Sequence, residues 1–301
     1  MPVDAAAPMT AADDPTLERI ASLPPLRAVI AAHQLSARKQ LGQNFLLDLN
    51  LTRRIARAAG RLDQGTVIEI GPGPGGLTRA LLMEGARHLV AIEKDARAVG
   101  ALAELVAAAE GRLTLRHGDA SALTLVDLGP PPRRVVANLP YNIATHLLIG
   151  WLGQIAHLNT MTLMFQREVA DRLVAAPGSA AYGRLSVLVT WLTKAERLFD
   201  VPASAFTPPP KVTSTVVRLT PRAQPLAPAR RETLERVTAA AFGQRRKMLR
   251  ASLRHLGGDS LLDRAAVAPS ARPETLTVED FCRIAQVLDD EDRVNGPGAA
   301  V

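Results

Sequence analysis

The chain carries one cysteine, Cys282, in 301 residues. A single thiol excludes an intramolecular disulfide framework and suits a reducing compartment. No apolar run approaches the roughly 18 residues that a membrane-spanning helix needs; the alanine-rich stretch after Arg97, for example, is broken by Glu104. Met1 to Asp14 lacks a basic stretch and an apolar core and carries Asp4, Asp13 and Asp14. It therefore reads as neither secretory signal nor transit peptide, and a cytoplasmic protein is expected. Aromatic residues are few, with 2 Trp, 2 Tyr and 6 Phe. No internal repeat is visible, and no metal site is expected.

Hydrophobic residues make up 47% and charged residues 22%, which excludes disorder and supplies a sizeable core. The length fits one large domain with an appendage, or two domains. The net charge is +7. Between Arg222 and Arg254 nine basic residues face only Glu232 and Glu235, so this segment alone carries the chain's whole surplus. A localised basic face suits a polyanion, because neutralised phosphates release counterions. A solvated helix face is the plainer alternative.

Residues 1–33 are rich in alanine and proline, with Pro24 and Pro25 adjacent, and predict a partly ordered extension. Helical spacing begins over Leu51 to Ala59. Strands are expected at Thr66 to Ile70, His88 to Ile92, Leu113 to Arg116, Arg134 to Ala137, Met161 to Phe165 and Val212 to Leu219. With a helix over Gly76 to Met83, the alternation predicts an α/β domain over residues 34–221, a mostly parallel sheet covered by helices. Pro221, Pro225 and Pro228 interrupt it. Beyond them Arg230 to Leu256 and Val278 to Leu288 predict a small all-α C-terminal domain over 222–290. Residues 291–301 are expected as a disordered tail, with the acidic run Asp289 to Asp292 solvated.

Gly71-Pro72-Gly73-Pro74-Gly75-Gly76 follows a strand and opens a helix, where an α/β sheet binds nucleotide-like ligands. Gly71, Gly73 and Gly76 satisfy a dinucleotide fingerprint, so a nicotinamide oxidoreductase must be considered. Glu93 lies 22 positions after Gly71, at the end of the next strand, where a carboxylate accepts both ribose hydroxyls. That ribose belongs equally to NAD and to S-adenosylmethionine. Glu69, two residues before the first glycine, resembles the first motif of class I S-adenosylmethionine-dependent methyltransferases. Asp119, after a third strand, can accept a hydrogen bond from the cofactor's adenine amino group; turn residue or helix cap is its plainer role.

Asn138-Leu139-Pro140-Tyr141 after the fourth strand is the sharpest signal. Adenine N6 is a poor nucleophile because its lone pair is delocalised into the ring. Two acceptors, the Asn138 side-chain oxygen and the Leu139 carbonyl, could hold the amino hydrogens and turn that lone pair toward a methyl donor. Pro140 stiffens the loop, and Tyr141 can stack on an extruded base. In-line transfer of an activated methyl needs positioning rather than a strong base.

Taken together, RKQLGQNFL (Arg38 to Leu46), Glu69 to Gly76, NLPYNIAT (Asn138 to Thr145), FQREVADRL (Phe165 to Leu173), AYGRLSV (Ala181 to Val187), AFTPPPKV (Ala205 to Val212) and AFGQRRKMLRAS (Ala241 to Ser252) resemble the bacterial small-subunit ribosomal RNA adenine N6,N6-dimethyltransferases, the KsgA-type enzymes. The resemblance runs from about Leu35 to Leu288. It implies a Rossmann-like class I methyltransferase domain followed by a helical RNA-binding domain. It carries cofactor contacts onto Asn44, Leu46, Gly71, Gly73, Glu93, Asp119 and Asn138, with S-adenosylmethionine as cofactor. It carries the target-adenine site onto Asn138, Pro140 and Tyr141, with Phe165 as a second aromatic face; a core role is the plainer reading of Phe165. Pro208-Pro209-Pro210-Lys211 would be a stiff loop near the active-site mouth.

The reaction implied is dimethylation of two adjacent adenosines in the 3′-terminal hairpin of 16S rRNA, on an assembling 30S subunit, by a monomer. Arg245, Arg246, Lys247, Arg250 and Arg254 would bind RNA, and the spacing of Arg246, Arg250 and Arg254 predicts one helix face, with Phe242, Leu249, Leu253 and Leu256 on another. Two further alternatives share this fold: a large-subunit rRNA methyltransferase of the macrolide-resistance type, and a non-catalytic RNA or transcription factor. The Leu139 version of the loop and AYGRLSV resemble the small-subunit branch.

Overall fold

A computed structural model describes residues 14–38 and 42–295. Its strands, in chain order, are β1 (Phe45–Leu46), β2 (Thr66–Ile70), β3 (Leu89–Glu93), β4 (Leu113–His117), β5 (Arg133–Asn138), β6 (Thr160–Gln166), β7 (Thr193–Val201), β8 (Phe206–Thr207) and β9 (Ser214–Pro221). β2 and β3 are buried at every position, as uninterrupted apolar runs require. A seven-stranded sheet has the order β4-β3-β2-β5-β6-β9-β7. β2 pairs in parallel with β3 and with β5, β3 with β4, and β5 with β6. The chain thus runs outward from β2 to β4, then restarts at β5 on the other side. Loops leaving the carboxyl ends of β2 and β5 diverge there, which opens a crevice.

Each strand expected from sequence is present, with ends shifted by one or two residues. The first helix of the sheet domain starts at Leu49 rather than Leu51, because Asp48 caps it by accepting from the Asn50 and Leu51 N–H groups. β7 was not anticipated: TKAERLFDV lacks clean alternation, and most of the strand is half-exposed at the sheet edge. The N-terminal extension contains two short helices, Pro15–Ser22 and Leu26–Ala32, separated by Pro24 and Pro25.

The chain forms two compact units. One is the chain up to Arg167 together with Arg197–Arg218; the other is Glu168–Glu196 with the chain from Leu219 onward. In the first, the helices Leu49–Ala58 and Gly76–Met83 share a core with β2 and β3 through Ile55, Leu77, Leu81, Val67 and Leu89. The second is built from helices including Arg184–Leu192, Arg231–Gly243, Gly258–Arg264 and Val278–Asn295. Its centre holds Tyr182 edge-on to Phe242 at 6.0 Å, and Phe242 against Phe281 at 5.5 Å.

Two expectations for this second unit are corrected. Arg230 to Leu256 is not one helix: Arg231–Gly243 ends at its glycine, a turn follows in which Lys247 N–H reaches the Gln244 carbonyl, and Leu249–Ser252 and Arg254–Leu256 are separate short elements. Glycine is a poor helix residue, which favours a stop there. Arg246, Arg250 and Arg254 therefore do not form a single helical stripe, although Leu249 and Leu253 are still buried. The acidic run Asp289 to Asp292 is not a solvated tail but lies within Val278–Asn295. Asp289 is buried and accepts from the Thr233 hydroxyl beside Arg230, Glu291 pairs with Arg264 and Asp292 with Arg236. Opposite charges on neighbouring helices thus order it; the remainder of the expected tail lies outside the described residues.

Replacing Thr233 by Val leaves the buried Asp289 carboxylate with Arg230 alone. We expect a loss of about 1–2 kcal/mol, read as a lower urea midpoint at unchanged slope; an unchanged midpoint would show that Arg230 satisfies Asp289 unaided.

Candidate active site

A cavity of about 230 Å³ opens at the carboxyl ends of β2, β3, β4 and β5. Its walls include Asn44, Leu46, Glu69, Gly71, Gly73, Glu93, Asp119, Asn138, Leu139, Pro140 and Tyr141. Residues spread over nearly a hundred positions meet because parallel strands deliver all their C-terminal loops to one edge. The glycine loop is packed closely against Phe45 and Leu46. A Cβ on Gly76 would lie 2.6 Å from the Leu46 carbonyl oxygen, and one on Gly73 would lie 3.1 Å from the Phe45 ring.

Glu93 is buried, and three backbone N–H groups fix its carboxylate: Gly73 on Oε2 at 3.0 Å, and Lys94 and Asp95 on Oε1 at 2.8 Å each. Two donors occupy Oε1, so Oε2 keeps one lone pair for a hydroxyl donor. Asp119 accepts from Lys94 Nζ at 2.7 Å and from the Ser121 N–H and hydroxyl. The Lys94 ammonium first, then the Ser121 donors, hold the Asp119 carboxyl far below the usual range. Glu69 behaves oppositely. Its burial pushes the carboxyl up to about 8, and the charge of Glu93 adds to the rise. Its Oε2 is buried without a hydrogen-bond partner.

β5 ends at Asn138, Leu139 is buried, and Pro140 caps the helix Tyr141–Leu152 at φ −57°. Asn138 Nδ2 donates to the Asn44 carbonyl at 3.1 Å, so the amide is held by its nitrogen end. The Tyr141 hydroxyl is hydrogen-bonded to that of Ser214, and burial raises its pKa. Phe165, one position past the Met164 that pairs with Asn138, is 1% exposed and is not among the cavity-lining residues. Pro208 to Lys211 do not line the cavity either; they follow β8, which pairs antiparallel with the cavity-lining β1. In the second unit Arg245, Arg246, Lys247, Arg250 and Arg254 are all exposed, and Arg245 donates to the Ala180 carbonyl at 2.8 Å.

Sequence reasoning missed Phe45, Lys94 and Ser214. Phe45 and Lys94 sit beside residues that were singled out, but only the fold shows which neighbours they meet. Ser214 stands 73 positions from Tyr141 and has no local signature.

A family model for ribosomal RNA adenine dimethylase matches residues 34–290. The chain belongs to this family. A ribosomal RNA small subunit methyltransferase A from Rhodospirillum rubrum is 63% identical over 268 residues, covering 89% of this chain and 93% of that protein. The protein of that name from Paramagnetospirillum magneticum is 61% identical over 271 residues, covering 90% and 96%. Among solved structures, a 23S rRNA methyltransferase, ErmE, aligns with TM-score 0.62 at 28% identity over 82% of this chain and all of that one. A dimethyladenosine transferase from Plasmodium falciparum aligns with TM-score 0.68 at 24% identity, covering 81% and 97%, and shows the shared fold.

The dimethylase is an S-adenosylmethionine-dependent enzyme acting on rRNA adenines. The nicotinamide reading of its glycine loop falls away. Its residues fit the cofactor: the unpartnered Glu69 Oε2 suits a cationic ligand, and the spare lone pair of Glu93 suits a ribose hydroxyl. Glu69 also makes the protein without cofactor pH-sensitive. A carboxyl at about 8 in the fold and at the ordinary 4.5 when unfolded binds more protons folded, so its contribution to stability falls as pH rises between those values. Glu69→Gln should flatten the loss of melting temperature across that window; parallel profiles for variant and parent would contradict the shift.

Proposed function

We propose that this dimethylase converts two adjacent adenosines in the 3′-terminal hairpin of 16S rRNA to N6,N6-dimethyladenosine, acting as a cytoplasmic monomer on the assembling 30S subunit. The observation that carries the reading is the Asn138 amide at the cavity wall, held through its nitrogen by the Asn44 carbonyl. With Nδ2 committed, Oδ1 is the atom left to accept from an adenine amino group. The relatives at 63% and 61% identity carry the small-subunit name, which supports that substrate.

Asn44, Leu46, Gly71, Gly73, Glu93, Asp119 and Asn138 form the cofactor site in this proposal. S-adenosylmethionine supplies a methyl on a sulfonium. The protein's share is positioning. Asn138 Oδ1 and the Leu139 carbonyl take the two amino hydrogens and turn the N6 lone pair toward the cavity, while Pro140 keeps the loop from relaxing. The Tyr141 ring, steadied by Ser214, stacks on the base once it leaves its helix. A second face from Phe165 would require its buried ring to come out of the core, so Tyr141 carries the stacking. The exposed cations of the second unit bind rRNA phosphates. The 28% likeness to a 23S rRNA methyltransferase keeps a large-subunit substrate as the second reading.

Incubation with S-adenosylmethionine and unmethylated small subunits, followed by digestion and mass spectrometry, should place dimethyladenosine at two adjacent positions of the 3′ hairpin. Product on 23S rRNA alone would select the second reading. Asn138→Ala should abolish product while the protein still folds; persistent turnover would refute the assignment. Reversing Arg246 and Arg250 to Glu should weaken rRNA binding by about tenfold or more at moderate salt and leave cofactor affinity intact; equal loss of both would point to misfolding.

A further inference from the structure

Residues 42–46 form a strap that touches the cofactor loop and the target-base loop at once. Phe45 and the Leu46 carbonyl press on Gly73 and Gly76. Gly42, at φ +61°, lies so close to the base loop that a Cβ would meet Asn142 Oδ1 at 2.7 Å and Pro140 Cβ at 3.2 Å. Between these contacts the Asn44 carbonyl accepts from Asn138 Nδ2. One end of the strap is fixed by the pairing of β1 with β8. At the other end Gln43 does the fixing: its Nε2 donates to Asp95 Oδ2 at 3.1 Å and its Oε1 accepts from the Arg38 N–H at 3.0 Å.

Asp95 is a rigid anchor. Its side chain is 4% exposed, Arg97 binds it through Nε and Nη2, and its own N–H donates to Glu93 Oε1 at 2.8 Å. Arg97 also donates to the Gln34 and Ser36 carbonyls, tying down the preceding chain. A continuous line therefore runs from the Glu93 carboxylate through Asp95, Gln43 and the strap to the Asn138 amide. The amide needs such support. Rotated by half a turn it would present NH₂ to the adenine NH₂, donor against donor.

We propose that Gln43 and Asp95 are positioning residues for methyl transfer: Asp95 anchors Gln43, Gln43 fixes the strap, and the Asn44 carbonyl thereby keeps the Asn138 oxygen available to the adenine amino group. Neither residue need touch the base. The inference rests on Asn138 being the amino-group acceptor.

The test uses the full chain, with single-turnover rates at saturating S-adenosylmethionine and rRNA, and separate Kd values for each. Gln43→Ala and Gln43→Glu, the latter setting two carboxylates against each other, should each lower the rate constant by about tenfold or more, because reactivity depends steeply on orientation. Both Kd values should stay within about twofold of the parent's. Asp95→Asn, which turns one of its two acceptor oxygens into a donor against Gln43 and Arg97, should lower the rate in the same way, and an unchanged rate would take Asp95 out of the line. An unchanged rate in Gln43→Ala, with Asn138→Ala inactive, would sink this inference and leave the Asn138 assignment standing. Parallel losses in rate and cofactor affinity would assign Gln43 a merely structural role. Normal turnover by Asn138→Ala would remove the premise itself.

Discussion

Parallel pairing of β2 with strands on both of its sides is the constraint on which the site depends. Strand β2 cannot lie parallel to β3 and to β5 without the chain reversing its direction of travel across the sheet, and the two departing loops leave a gap that neither fills. Into that gap come the glycine loop after β2, Glu93 at the end of β3, Asp119 after β4 and Asn138 at the end of β5. The chemistry available is set by which residues end those four strands.

The site divides its carboxylates by environment. Glu93 is surrounded by backbone N–H groups, Asp119 by an ammonium and a serine, and Glu69 is buried with its Oε2 unpartnered. Three groups of similar chemistry thus differ in kind: a fixed acceptor, a strongly ionised acceptor and a buried acid with an unpartnered oxygen. The strap at residues 42–46 closes the arrangement by packing on both loops, so the geometry of the glycine loop and of the Asn138–Tyr141 loop are not independent.

Much of this was legible in the sequence. Short apolar runs separated by helical spacing specified the strands to within one or two residues, because fully buried strands leave little choice of side chain. Gly71 to Gly76, Glu93 and Asn138 to Tyr141 stood out because the roles proposed for them demand particular residue types at particular strand ends. The edge strand β7 did not stand out, since a half-exposed strand carries a blurred pattern. The broken helix after Gly243 was hidden by cations whose fourfold spacing imitated a helix face. The acidic run near the C-terminus read as solvated because its partners Arg230, Thr233, Arg236 and Arg264 lie far away in sequence.

The sequence by itself determined the alternation of strands and helices, the family and the residues at the strand ends, all of which follow from local pattern and residue type. Tertiary structure alone decided that Gln43 meets Asp95, that Asn44 holds Asn138, that Ser214 meets Tyr141 and that Phe165 is buried. Those are contacts between segments distant in the chain, and hydrogen-bond partners across such distances leave no period or spacing to read. They exist only once the sheet has brought its loops to one edge.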